Sequence, residues 1–315
     1  MKYAVVGGAG FVGSHLVDLL VEKSQKVVVV DNFFLGKMEN LKDALTEGDV
    51  VVYREDARFL TSLENIFEIE KPQVVFNLAV QPLPYSFINS EGTYMTSVEV
   101  ANNLAYMLHK NRYEKLIHFS SSEAYGNAEY TPMDEEHPLK PTTPYGAGKA
   151  SAVLMLQSYY KLLEGEFDVS IICPFNIYGP RQNMGSYSAV IPITIRRLLT
   201  GEAPVIEGNG LQTRDFTYVK DVVNAAYDLS KCDSAIGKVV NVGQGKETSI
   251  KDIIFLLCES FKYPLSKIKY VPPRPADIER MLADTSLAKK LINYSPTTPL
   301  EKGLRFTVEW MKSTF

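Results

Sequence analysis

Ser120, Ser121, Ser122 and Glu123 set three hydroxyls and a carboxylate directly after an apolar run, and a tyrosine and a lysine follow at positions 145 and 149. A separation of four places Tyr145 and Lys149 on one face of a helix. A free phenol, with a pKa near ~10, is a poor base at neutral pH, but a nearby ammonium stabilises the phenolate and draws the value down. Ser121 or Ser122, at the end of the preceding strand, could hydrogen-bond the same substrate hydroxyl. The chemistry expected of this set is removal of the proton from a C–OH group. A Tyr-x-x-x-Lys pair also occurs as plain surface decoration, so the surrounding elements decide.

Those elements alternate. Continuous apolar, β-branched runs at 3–6, 27–30, 50–53, 74–78, 116–120 and 169–173 read as strands. Helical spacing is found at 11–22, 61–70, 96–111 and 144–163. Strands that are apolar throughout, separated by helices, predict a doubly wound α/β fold with a parallel sheet, the Rossmann arrangement. After Pro174 loops become richer in Gly, Pro and Asn and strands shorten. Helical spacing recurs at 191–200 and 250–261; 208–214 reads as a turn before a short strand, and 219–229 as a strand end running into a helix. The expected organisation is a Rossmann domain over 1–173, rejoined by parts of 213–243, and a smaller mixed α/β substrate-binding domain over 174–315.

The first strand runs into GGAGFVG, residues 7–13, which opens a helix. Glycines there permit a tight turn and close backbone approach, so that helix N–H groups can meet a pyrophosphate. Gly7, Gly10, Phe11, Val12 and Gly13 are the candidate contacts. Asp31 ends the second strand, placed to accept from adenosine ribose hydroxyls; a 2′-phosphate would meet a like charge, so the expected cofactor is NAD rather than NADP. Asn32 follows it. Asp56, in the run EDAR with Ala57, could accept from the adenine amino group or equally serve as a helix cap. Leu78 and Ala79 end the fourth strand, at the sheet edge where ligands lie.

Composition narrows the classes. A chain of 315 residues with 45% hydrophobic and 22% charged residues is ordinary for a globular protein and long enough for a large core. A net charge of −4 gives no basic field for nucleic acid or an anionic membrane. Cys173, Cys232 and Cys258 are too scattered for a disulfide framework or a metal site, so no metal is expected and a cytoplasmic setting is the natural reading. Glycines interrupt the N-terminal apolar run, against a secretory signal, and no run approaches the ~18 apolar residues of a membrane span.

With these residues in hand, the chain resembles the extended short-chain dehydrogenase/reductase family, the nucleotide-sugar epimerases and dehydratases. The likeness spans nearly the whole chain: GGAGFVGSHLV, DN at 31–32, NLA at 77–79, SSSEAYG, PYGAGK, PFNIYGPRQN, VIP at 190–192, GNGLQTRDFTYVKDVV and RPAD at 274–277. It implies oxidation of a nucleotide-diphosphosugar, UDP-, GDP-, dTDP- or CDP-linked, usually at C4, by tightly held NAD. Tyr145 would take the hydroxyl proton, Lys149 tune Tyr145 and hold the nicotinamide ribose, and Ser121 stand as the family's catalytic Ser/Thr. Asn176, Arg214 and Arg274 resemble its contacts to the substrate diphosphate. It also implies a homodimer through helices 96–111 and 144–163. The family often has Asn at Ser97, Gly at Val100 and Arg at Cys173, so packing near the cofactor differs here.

Beyond the 4-ketone the outcomes divide. Glu123 could remove the acidified C5 hydrogen and start loss of the C6 hydroxyl, with Ser122 as a weak acid where many dehydratases have Asp; it could equally bond a neighbouring backbone N–H. A 4-epimerase needs no C5 base. A net 4-dehydrogenase would release NADH, a uronate decarboxylase would need a further cation, with Arg181 and Arg280 as candidates, and a non-catalytic NAD-binding regulator would have lost the Tyr/Lys pair.

Overall fold

The computed structural model describes residues 1–164, 166–185, 187–273 and 277–315. Strands β1 (Lys2–Val6), β2 (Lys26–Asp31), β3 (Val50–Arg54), β4 (Val74–Asn77), β5 (Lys115–Phe119) and β6 (Val169–Pro174) alternate with helices α1 (Phe11–Glu22), α2 (Lys42–Glu47), α3 (Leu60–Glu70), α4 (Ser90–His109) and α5 (Pro144–Leu162). The chain continues through β7 (Ile177–Tyr178), α6 (Val190–Leu199), β8 (Val205–Glu207), β9 (Thr213–Asp215), β10 (Thr217–Tyr218), α7 (Val219–Leu229), β11 (Val239–Val242), β12 (Glu247–Ser249), α8 (Ile250–Ser260), β13 (Lys269–Val271), α9 (Ser286–Ile292) and α10 (Leu300–Thr314).

Among the described residues, seven parallel strands form the central sheet in the order β11-β6-β5-β4-β1-β2-β3. This is the doubly wound, Rossmann order, in which chain direction reverses on either side of β1. Alternation along β1 shows why its residues are apolar throughout. Tyr3 and Val5 enter a core on one face, with Leu16, Leu20 and α7 residues such as Val222; Ala4 and Val6 enter a second core with Leu63, Leu104 and Leu156. Burial on both faces leaves no position for a polar side chain, which is the signature of a covered parallel sheet. Register pairs Val6 with Val30 and Asn77, and Asn77 with His118, so the carboxyl ends of β1, β2, β4 and β5 stand side by side along one edge.

The segment after Pro174 crosses that edge. It returns once to the sheet, where β11 pairs β6, and α7 lies against α1. Its remaining strands are short pairs: β10 with β7, β12 with β9, β13 with β8.

Three local expectations are corrected. The helix expected at 96–111 begins at Ser90, because the Asn89 side chain caps it by accepting from the Gly92 N–H at 2.9 Å. Residues 219–229 are helical throughout, the strand portion being Thr217–Tyr218 beside β7. Helices α9 and α10 were not among the expected elements, although the buried Leu304, Val308 and Met311 of α10 have helical spacing.

Candidate active site

Where the C-terminal layer covers the sheet edge, a cavity of about 670 Å³ opens between them. Its lining begins at the glycine turn. Gly7 has φ 82°, a left-handed value that disfavours any side chain, and a Cβ on Gly13 would stand 2.1 Å from the Gly7 carbonyl oxygen. Both glycines are therefore required for α1 to start this close to β1. The N-cap of α1, Gly10, offers no side-chain bond, and no acidic residue occupies the first turn. Its leading N–H groups are thus left for an anion at the cavity wall.

Asp31 is buried beside this turn. One carboxylate oxygen accepts from Ala9 N at 2.9 Å and the other from Phe33 N at 2.8 Å. Burial raises its pKa, opposed by these backbone bonds. The carboxylate is held rigidly at the cavity, with acceptor capacity remaining for hydroxyls. Asn32, Asp56, Ala57, Leu78 and Ala79 line the same end, as do Phe11 and Val12. Asp56 is more committed than expected: the Arg58 fork reaches its two oxygens at 3.0 and 2.8 Å, and Asn32 donates to it at 3.1 Å. Burial pushes this carboxyl up, but the bonds from Arg58 and Asn32 outweigh it and hold it at about 2. The glycine cradle, the uncapped helix start and the caged Asp31 together fit NAD.

Tyr145 and Lys149 enter the cavity from the first turns of α5. Pro144 supplies the first helical φ, and Thr143 caps the helix by accepting from Gly146 N at 3.1 Å. Lys149 donates to the Phe119 carbonyl at 2.7 Å, and its nitrogen lies 6.0 Å from the centre of the Tyr145 ring. Burial draws Lys149 down to about 8, while Cys173 pulls it back up. The expectation that Lys149 lowers the Tyr145 phenol is not met in the protein alone. Burial raises Tyr145 to about 12; the Ser121 hydrogen bond opposes the shift, and Glu123 and Cys173 add to it. Desolvation outweighs an ammonium that is itself buried and anchored elsewhere.

Ser121, Ser122 and Glu123 follow β5 in a single turn of 3₁₀ helix that Ser121 caps. Ser121 and Glu123 line the cavity beside Tyr145. Ser122 lines the cavity as well, but its hydroxyl, 3% exposed in the residue as a whole, donates to the Met281 sulfur at 3.5 Å. Asn176 lines the cavity with its side-chain oxygen buried and without a hydrogen-bond partner. Arg214 is buried at the wall, donating to the carbonyls of Thr213 (2.8 Å) and Ile278 (2.6 Å) and pairing with Asp277 at 2.8 Å. Arg274 lies outside the described residues. Of the positions that depart from the family pattern, Val100 lines the cavity, whereas Ser97 and Cys173 do not.

The two cations considered for a substrate carboxylate are engaged elsewhere. Arg280 forks onto Glu247 at 3.0 and 2.7 Å, and Arg181 pairs with Asp18 at 2.6 Å; neither lines the cavity. Arg181 instead helps hold the loop after β7 onto α1, beside a bond of 2.9 Å between His15 Nε2 and the Pro180 carbonyl. Burial lowers His15 to about 4, so the ring is neutral and donates. The unfolded chain binds a proton that the folded chain refuses between those two pKa values. Stability present above pH ~6.5 is therefore lost as pH falls towards ~4, by up to about 3 kcal/mol. Urea titrations of the wild type and His15→Gln over that range should show a smaller acid loss in the variant; parallel curves would refute the role.

Cavity residues not anticipated are Gln81, Tyr187, Arg197, Glu207, Gln212 and Asp277. Gln212 and Asp277 stand inside quoted motifs, but nothing in their spacing marks Arg197 or Glu207.

A family model described as GDP-mannose 4,6 dehydratase matches residues 4–307. UDP-glucose 4-epimerase of Mycolicibacterium smegmatis is 31% identical, over 99% of each chain. Among solved structures, UDP-glucose 4-epimerase of Thermotoga maritima with UDP-glucose has a TM-score of 0.93 at 33% identity, covering 100% of this chain and 99% of that one. dTDP-glucose 4,6-dehydratase of Bacillus anthracis in complex with NAD has a TM-score of 0.90 at 26% identity, covering 99% and 97%.

Proposed function

This chain belongs to the GDP-mannose 4,6-dehydratase family of NAD-dependent nucleotide-sugar epimerases and dehydratases, and on that premise we propose that it oxidises C4 of a nucleoside-diphosphate sugar, eliminates water across C5 and C6, and returns the hydride to C6 and a proton to C5. NAD, when bound, would supply the hydride acceptor and a positive charge to the site. The chain's own residues do the rest. Tyr145 takes the proton from the C4 hydroxyl, and Ser121, whose hydroxyl favours the ionised phenol, orients that hydroxyl and stabilises the phenolate. Lys149, fixed by the Phe119 carbonyl, supplies a cation one helical turn away. Asn176 donates to the diphosphate through its amide nitrogen, and its orphaned oxygen accepts a sugar hydroxyl. Arg214, held by Asp277, places positive charge at the wall.

The observation that carries the elimination step is Glu123. Its carboxylate lines the cavity on the turn just past Ser121, close enough to Tyr145 to disfavour phenolate. A ketone at C4 acidifies C5–H, and a carboxylate in that position removes it. A second reading, epimerisation at C4, is favoured by Ser122: with its hydroxyl on Met281, it offers no acid to a leaving C6 hydroxyl.

Incubation with a panel of UDP-, GDP-, dTDP- and CDP-sugars in D₂O separates the readings. Elimination predicts deuterium at C5 together with loss of water. Unchanged mass with inverted C4 establishes the epimerase instead, and accumulation of reduced cofactor a net dehydrogenase.

A further inference from the structure

The C-terminal layer contributes its own lobe of residues to the cavity wall: Arg197 of α6, Val205 and Glu207 of β8, Gln212, Ile250 and Asp277. Along β8 the side chains alternate: Ile206 is fully buried in the core, while Val205 and Glu207 both face the cavity. The lobe is tied together by hydrogen bonds. Gln212 donates to the Glu207 carbonyl at 3.3 Å and to Asp277 at 3.1 Å, and Ile250 N donates to the Gln212 carbonyl at 3.0 Å. Arg197 of α6 is held to the turn that precedes this strand, donating to the Ala203 carbonyl at 3.2 Å and pairing with Glu202 at 3.8 Å. Val205 and Ile250 give it apolar walls.

Two polar groups within it are unused. The Nε–H of Arg197 is buried with no hydrogen-bond partner. The Glu207 carboxylate, among the described residues, takes part in no hydrogen bond or ion pair. A buried donor without an acceptor and an unengaged carboxylate lining the same cavity, with apolar walls, suit a flat heterocycle with a donor pair and an acceptor.

We propose that this lobe reads the nucleobase and that its preferred base is guanine, so that the substrate is a GDP-sugar. This rests on the reading of the substrate as a nucleoside-diphosphate sugar. Guanine presents two adjacent donors, N1–H and the N2 amino group, which match the two oxygens of Glu207. Its O6 and N7 are acceptors for Arg197. Uracil and thymine present one N–H flanked by two carbonyl oxygens, which a carboxylate repels. Cytosine presents a single amino group beside a ring acceptor, so it satisfies one carboxylate oxygen.

The test is calorimetric titration of the NAD-saturated full chain with GDP, IDP, UDP, dTDP and CDP. IDP carries hypoxanthine, which keeps N1–H, O6 and N7 and lacks only the amino group. GDP should bind tighter than UDP, dTDP or CDP by about 10-fold or more, and tighter than IDP by about 10-fold. Glu207→Gln should weaken GDP by about 10-fold, shrink the GDP–IDP gap to about 2-fold and leave UDP within about 2-fold. Arg197→Gln should weaken GDP and IDP equally. Glu207 is exposed, so its variant should melt as the wild type does. UDP, dTDP or CDP binding as tightly as GDP overturns the base assignment alone, and so does a GDP–IDP gap that survives Glu207→Gln. No diphosphate binding at all, with NAD retained, overturns the nucleotide-sugar reading beneath it.

Discussion

Tyr145→Phe should lower turnover by about 1,000-fold while NAD stays bound, the loss expected when a positioned general base is removed. The change deletes a single oxygen. The ring remains in its place on α5, and the bond from Lys149 to the Phe119 carbonyl does not involve the phenol. On the proposed mechanism, what is lost is the group that accepts the C4 hydroxyl proton. Because burial holds this phenol at about 12 in the protein alone, the wild-type site is a poor base until positive charge arrives beside it. Rate measurements on the variant, with cofactor content determined after gel filtration, check both halves. Turnover within about 10-fold of wild type would remove Tyr145 as the base.

Glu123→Gln is the second large effect. The amide matches the carboxylate in shape but cannot accept a proton from C5. Dehydration should fall by about 1,000-fold while oxidation at C4 persists, so that a single turnover stalls with reduced cofactor on the enzyme. The near-ultraviolet absorbance of reduced nicotinamide reads this directly. Removing the negative charge also removes a repulsion that holds the Tyr145 phenol up, so the first step should not slow. A variant that dehydrates at the wild-type rate refutes the assignment of Glu123. A variant that inverts C4 without hindrance supports the epimerase reading.

Local pattern carries much of this architecture. Residues 27–30 are four consecutive valines buried on both sides of a parallel sheet, and no other environment accommodates that run so simply. GGAGFVG is read in the same way, since Gly7, Gly8 and Gly13 stand where a Cβ cannot. The Tyr145/Lys149 spacing and the position of Ser121 are also local facts. Long-range contacts are another matter. The hydroxyl of Ser122 is directed by Met281, far along the chain, and the cations Arg181 and Arg280 are taken by Asp18 and Glu247 on other elements. The protonation of Tyr145 follows from burial, which depends on the whole covering layer and reverses the shift that sequence spacing implies. Strands of two or three residues, such as β7 and β10, carry too few side chains to show an alternation.

Turnover of a nucleotide-sugar deuterated at C4 bears most directly on the claim that this cavity withdraws hydride from C4 and hands the resulting ketone to Glu123. The label should leave C4 with a slowed rate and reappear at C6 of a dehydrated product. A dehydrated product formed at an undiminished rate, with deuterium still at C4, would contradict it.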